Sequence, residues 1–216
     1  MHLRTRTPQN GGVLQRQHLH VRCEARDDQR DVHPLTTDPW AKCTNRKDIV
    51  MFKEFTGRYH VHESSRSFAD VVAALEAAVG SVENQAFDHE LSEARSPSDF
   101  EARMHRHEST SGFMRFHTAD HGAWLAALGS SGKARMYTIG NPLIARTMMK
   151  HDLGVGLTVP VRIAVYEEPS SGKVRVAYNL PSSLMSALDN KDVGEAAQAL
   201  DAKLIALAEK VSDAKA

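Results

Sequence analysis

A chain of 216 residues with 41% hydrophobic and 25% charged side chains has the composition of a folded soluble protein and enough length for one substantial core. Its 27 basic residues balance 27 acidic ones, so no overall field draws it to nucleic acid or to an anionic bilayer, and no nucleic-acid partner is expected. Nothing approaches the ~20 consecutive apolar residues of a membrane span, so no membrane partner is expected either.

The chain changes character at Met51. Residues 1–50 hold both cysteines, Cys23 and Cys43, with nine basic and six acidic residues. Pro8, Gly11, Gly12, Pro34 and Pro39 interrupt its few apolar runs, so it buries too little surface to offset the entropy of ordering. It reads as a disordered leader or an over-extended start ahead of Met51. It has no apolar h-region, and acidic residues from Glu24 onward argue against a transit peptide, which makes the cytoplasm the default location. The cysteine separation matches neither a disulfide framework nor a four-ligand zinc pattern.

Residues 51–216 read as a single domain. The alternation of Gly57 to Glu63 predicts a strand with Tyr59, Val61 and Glu63 on one face and Arg58, His60 and His62 on the other. Ser67 then caps a helix carrying Phe68, Val71, Val72, Leu75 and Val79 and closed by Gly80. Residues 81–111 form an irregular helical excursion, with helices around 87–94 and 98–107 and Ser96-Pro97 as N-cap and first helical residue. A strand at 113–117 leads to a helix capped by Asp120 and stopped at Gly129.

A strand at 133–139 runs into Gly140-Asn141-Pro142, where Asn141 caps a helix ending near His151. After a Gly154–Gly156 hinge, strands at 157–167 and 173–179 are joined by a short Gly-containing turn, which is a hairpin signature. Val193, Ala197, Leu200, Leu204, Leu207 and Val211 draw one apolar seam along a closing helix, to cover a sheet or a second subunit. Together these predict an α+β fold, a mostly antiparallel sheet of about five strands with helices packed on it.

Four segments carry a resemblance: D-H-G-A-W-L at 120–125, G-N-P-L-I-A at 140–145, V-P-V-R-I-A-V-Y-E at 159–167 and A-Y-N-L-P-S-S at 177–183. In order and spacing, over most of residues 51–211, the chain resembles the family called "domain of unknown function 302". The resemblance implies a compact α+β domain similar to the TATA-binding-protein fold and a homodimer, and it implies no assigned activity. The stretch between Gly80 and Gly112 is longer than in many members.

Candidate site residues gather at two strand-to-helix turns. Asp120 and His121 offer a carboxylate beside an imidazole, suited to a polar ligand or to proton transfer near neutral pH; the simpler reading makes Asp120 a helix cap worth about 1 kcal/mol. Gly140 and Asn141 open a helix whose N–H groups can face an anion, with Arg146 one turn on; the simpler reading is a structural turn, because Pro142 removes a donor and the glycine spacing is not that of a phosphate loop. His60, His62, His105, His107, His117 and His121 raise a metal-binding alternative that lacks an HExxH pair, and Met148-Met149 read as core filler. Arg135, Arg162, Lys173 and Arg175, with Tyr137, read either as a basic concave surface or as a solvated face.

The resulting expectation is a small cytoplasmic homodimeric binding or accessory domain, without cofactor, holding a small polar or anionic ligand near Asp120, His121, Gly140, Asn141 and Arg146. The alternatives are an enzyme using the Asp120/His121 pair as acid and base, and a histidine-based metal binder.

Overall fold

The computed structural model describes residues 52–83 and 87–213, so the reading of residues 1–50 lies outside it. Six strands, β1 (Tyr59–Ser64), β2 (Gly80–Ser81), β3 (Met114–Asp120), β4 (Ala134–Gly140), β5 (Val161–Glu167) and β6 (Val174–Asn179), form one sheet in the order β1-β6-β5-β4-β3-β2. Every pairing is antiparallel except that of β2 with β3. The expected count was about five; the sixth is the two-residue β2, too short to leave a periodic signal.

Among the described residues seven α-helices accompany the sheet: α1 (Phe68–Ala78), α2 (Phe87–Ser92), α3 (Pro97–His107), α4 (His121–Ala127), α5 (Pro142–Met149), α6 (Pro181–Met185) and α7 (Lys191–Ser212). Strand alternation decides which sheet face they cover. Tyr137 and Ile139 of β4, Ile163 and Val165 of β5, and Val176 and Tyr178 of β6 are buried in one core with Val71 and Leu75 of α1, Met148 of α5 and the α7 seam. The seam follows the expected positions, with Val193, Ala197, Leu200, Leu204, Leu207 and Val211 all buried. Each such aliphatic side chain contributes on the order of 2 kcal/mol on burial.

The other sheet face carries Arg162 and Glu63, and it includes an unbroken row of Val61, Ala177, Ala164, Met136 and Ala119, each the register partner of the next. On β1 the polar-looking side faces inward. His60 and His62 are half-buried, opposite Tyr178 and Val176, whereas Tyr59 and Val61 are 61% and 41% exposed.

The 81–111 stretch has a core of its own. Phe113 and Met114 are consecutive and both fully buried, which a strand allows only when both of its faces are covered. Phe113 joins the main core, while Met114 joins Val82, Phe87 and Met104, with Leu91, Phe100, Phe116 and Leu143 packed around them. Ser96 caps α3 by accepting from the Asp99 N–H at 3.1 Å. α6, absent from the sequence reading, lacks a capping side chain of its own at Leu180. Asp201 of α7 serves instead, accepting from the Ser182 N–H at 3.0 Å and from the Ser182 hydroxyl.

Gly80 joins the main core to this second cluster, since its N–H donates to the Phe113 carbonyl at 3.0 Å. A Cβ there would stand 1.8 Å from the His107 carbonyl oxygen, which is backbone and cannot turn aside. Gly80→Ala is expected to lower the unfolding free energy by about 2 kcal/mol, in the range of overpacked sites. Urea unfolding of the two proteins measures this directly.

Candidate functional site

β4 ends where α5 begins, and the sequence places two small polar residues at that joint. Gly140 is there because a Cβ would lie 3.0 Å from Pro160 Cβ and 3.3 Å from the Phe116 ring. Asn141 is buried, and its amide is fully used. Its Oδ1 accepts from the Leu143 N–H at 2.8 Å, and its Nδ2 donates to Glu108 Oε1 at 2.6 Å and to the Gly112 carbonyl at 2.9 Å. Asn141 thus caps α5 and pins the loop between α3 and β3 to it. An anion arriving at this helix start would have to displace those bonds.

Beside the joint lies a cleft of about 770 Å³, walled by the end of β4, by α5 and by the start of β5. Its accessible surface is apolar, from Phe116, Ile144, Ala145, Met149 and Val159, with Phe113, Ile139 and Met148 buried behind it. The volume lies within the roughly 300–1,000 Å³ of small-molecule sites. Two cations belong to the lining, Arg146 in α5 and Lys150 just after its last residue, both exposed. Arg146 is paired with Glu101 at 3.0 Å; the Lys150 backbone N–H donates to the Arg146 carbonyl at 3.2 Å, while its ammonium has no hydrogen-bond or ion-pair partner among the described residues. Lys150 was not among the residues singled out from the sequence, because a lysine after a helix is ordinarily a solvated C-terminal residue.

Asp120 and His121 sit at the far end of the same two strands. Asp120 is the register partner of Arg135 and Met114 that of Gly140, which separates the two turns by about 17 Å along the ladder. The five residues grouped as one site therefore divide: Gly140, Asn141 and Arg146 border the cleft, and Asp120 and His121 do not. Asp120 Oδ1 accepts from the Ala123 N–H at 2.9 Å and Oδ2 from Arg135 Nε at 3.1 Å. The helix N–H, with Arg135 beside it, holds the carboxyl below its ordinary pKa of 3.8. His121 lies against the Trp124 ring, with centroids 4.9 Å apart. The carboxylate is engaged as a cap and an ion pair, and the two side chains share no contact that would couple them as acid and base.

Arg135 belongs to a larger polar network. Glu76 of α1 accepts from the Tyr137 hydroxyl at 2.9 Å and pairs with Arg115 at 3.3 Å and Arg135 at 3.5 Å. Glu83 pairs with Arg115 at 3.0 Å and accepts from the Thr118 backbone and hydroxyl. Burial and the bond to Glu76 push the Tyr137 hydroxyl up to about 12, so it stays protonated and acts as a donor. The network spans α1, the segment after β2, β3 and β4, which no local sequence pattern encodes.

The basic surface does not assemble. Arg135 and Tyr137 share the helix-covered face, whereas Arg162 is opposite Thr138 and faces the other way. Lys173 and Arg175 are neutralised by Glu63 at 2.6 and 3.1 Å, and Arg175 pairs also with Glu168. The histidines likewise go to separate partners. His62 shares a 3.0 Å hydrogen bond with the Tyr178 hydroxyl, and burial holds its pKa below 6.5. His107 meets Glu90 at 2.6 Å and His105 meets Glu108 at 3.1 Å. Among the described residues no group of three His, Cys, Asp or Glu is placed to hold a metal ion.

Capping and cross-linking give different costs. Asp120→Ala is expected to lose about 1 kcal/mol, the usual cost of a cap, whereas Asn141→Ala, which strands a buried N–H and carbonyl, is expected to lose about 2–3 kcal/mol. The Asp120 contribution has a lowered folded pKa. It is therefore present in full above pH 3.8 and shrinks as the pH falls through the folded value. Urea titrations of both variants at pH 7 and pH 3 check the order and the convergence of Asp120→Ala with the parent.

The model of the domain of unknown function DUF302 matches residues 87–211, a span that holds the four segments quoted above and more than half of the chain. Among solved structures, the chain is similar to the crystal structure of the uncharacterized conserved protein DUF302 from Bacillus stearothermophilus. The identity is 16% and the TM-score 0.51, over 71% of this chain and 97% of that one, a likeness of fold alone. No curated protein matches. On the extent of the matched residues, the chain belongs to the family of the domain of unknown function DUF302.

Proposed function

We propose that this protein is a ligand-binding or accessory domain that takes a small, largely apolar molecule into the cleft between β4, α5 and the start of β5. The observation that carries the reading is the cleft itself, about 770 Å³ and apolar, next to a joint whose polar groups are already satisfied. The ligand site thus moves to Gly140, Asn141 and Arg146, away from Asp120 and His121. A screen of small molecules by thermal stabilisation tests it, since a ligand at 100 times its Kd adds about 2.7 kcal/mol to the folded state. Ala145 lines the cleft, so Ala145→Trp fills it. Compounds that stabilise the parent are expected to leave Ala145→Trp unshifted, and equal shifts in both proteins count against the cleft.

The same reading includes a homodimer and a cytoplasmic location. The dimer is supported by the row Val61, Ala177, Ala164, Met136 and Ala119, on the sheet face opposite the helix-packed core. A two-fold interface needs a self-complementary patch, and the row is uncharged and apolar, with Val61 exposed and Ala164 and Met136 half-buried. The location rests on the sequence argument; among the described residues no helix is long and apolar enough to cross a membrane. Light scattering on the full chain at micromolar concentration is expected to give twice the chain mass, and Ala164→Arg is expected to give the single mass. A monomeric parent removes the dimer.

A further inference from the structure

The cleft has one uncompensated charge at its rim, and we infer that its ligand is an amphipathic monoanion: a free carboxylic acid with an unbranched hydrocarbon chain of medium length, tail in the cleft and carboxylate at Lys150 Nζ. This rests on the ligand-binding reading of the cleft and narrows it to a substrate class.

Three observations select that chemistry. First, the accessible walls, contributed by Phe116, Ile144, Ala145, Met149 and Val159, carry apolar side chains that offer no hydrogen bonds. The one buried polar side chain among the lining, Asn141, spends its amide on Leu143, Glu108 and Gly112. A sugar or nucleoside would shed hydration there without replacement, at a cost that excludes it; a hydrocarbon chain loses nothing.

Second, the charge count is one. Arg146 is already neutralised by Glu101 at 3.0 Å, which leaves Lys150 as the unpaired cation of the lining among the described residues. A single ammonium matches a carboxylate and under-compensates a phosphate dianion. Third, placement separates the two ends of the ligand. Lys150 follows the last residue of α5 and is exposed, whereas Met148, two residues earlier, is fully buried in the core. The carbonyl end of α5 opposes an anion there, but its partial charge of about half a unit is smaller than the full charge on Lys150.

The test is calorimetric titration of the full-length protein with octanoate, decanoate, dodecanoate and the neutral 1-decanol. Affinity is expected to rise about fourfold per added methylene, the factor that corresponds to burying a CH₂. Decanoate is expected to bind about three- to fivefold tighter than 1-decanol, the range of an exposed ion pair. Lys150→Met is expected to abolish that difference and Lys150→Arg to keep it, with both variants melting as the parent does because the side chain is exposed. Equal binding of decanoate and 1-decanol to the parent, or a difference that survives Lys150→Met, overturns the carboxylate inference and leaves the cleft as an apolar site. Absence of binding by all four compounds up to their solubility overturns the inference and the ligand-binding reading together.

Discussion

The structure depends on one constraint: of the two faces of β4, β5 and β6, one carries the apolar side chains that the chain's own helices α1, α5 and α7 cover. Alternation places Tyr137, Ile139, Ile163, Val165, Val176 and Tyr178 on that face, and the α7 seam packs into the same core. With buried aliphatics contributing on the order of 2 kcal/mol each, no other interaction in the chain is comparable in sum. The remaining arrangement follows from it. Helices α1, α5 and α7 must lie on the same side because their buried residues join the same core. The opposite face is then left with charge pairs such as Glu63 with Lys173 and with the row Val61, Ala177, Ala164, Met136 and Ala119.

The segments that make the sequence recognisable are joints in this frame. Asp120 fixes the start of α4 and ties it to Arg135. Asn141 holds three partners at the start of α5. Ser183 accepts from the Arg58 N–H at 2.8 Å and donates to the Leu180 carbonyl at 2.7 Å, which locks the chain before β1 to the start of α6. Ser182 meets Asp201, the buried acid of α7. The joints at Asn141, Ser182 and Ser183 satisfy groups that partial burial would otherwise leave unpaired, a loss of about 1–3 kcal/mol apiece, and the partly exposed Asp120 cap contributes about 1 kcal/mol, so each is specified by chemistry rather than by size. None of them needs a reacting ligand to explain it.

The sequence carried the long elements because periodicity and caps are local. The Ser67, Ser96, Asp120 and Asn141 caps lie where expected, and the 193–211 seam faces the core. What it did not carry depends on partners distant in the chain. The inward turn of His60 and His62 is decided by Tyr178, 118 and 116 positions away, and residue type alone favours Tyr59 and Val61 as the buried side. α6 is capped from α7, so its own start has no cap signal. The double burial of Phe113 and Met114 was visible as two adjacent large apolar residues, and it marks residues 81–111 as a covering layer for β3 rather than a surface detour. The grouping of Asp120 with Gly140 failed for a geometric reason, since two turns at opposite ends of an antiparallel ladder are separated by the length of the strands.

That separation gives the sheet two chemically different ends. At one, Asp120 meets Arg135, and from there the network runs along the ladder through Glu76 and Tyr137 to Arg115, the partner of Ile139, and to Glu83, so that charges of both signs close on one another with Tyr137 as a neutral donor. A pre-paired network of this kind offers an incoming ligand little, because every new contact must break an existing one. At the other end the polar groups are consumed by Asn141 and the surface that remains is hydrocarbon, left open between α5 and the start of β5. Open apolar surface is unfavourable in water, so its retention beside a fully satisfied joint is the feature that stability does not require. The proposed binding is one account of it, because a ligand that covers those walls recovers the free energy the fold leaves unspent.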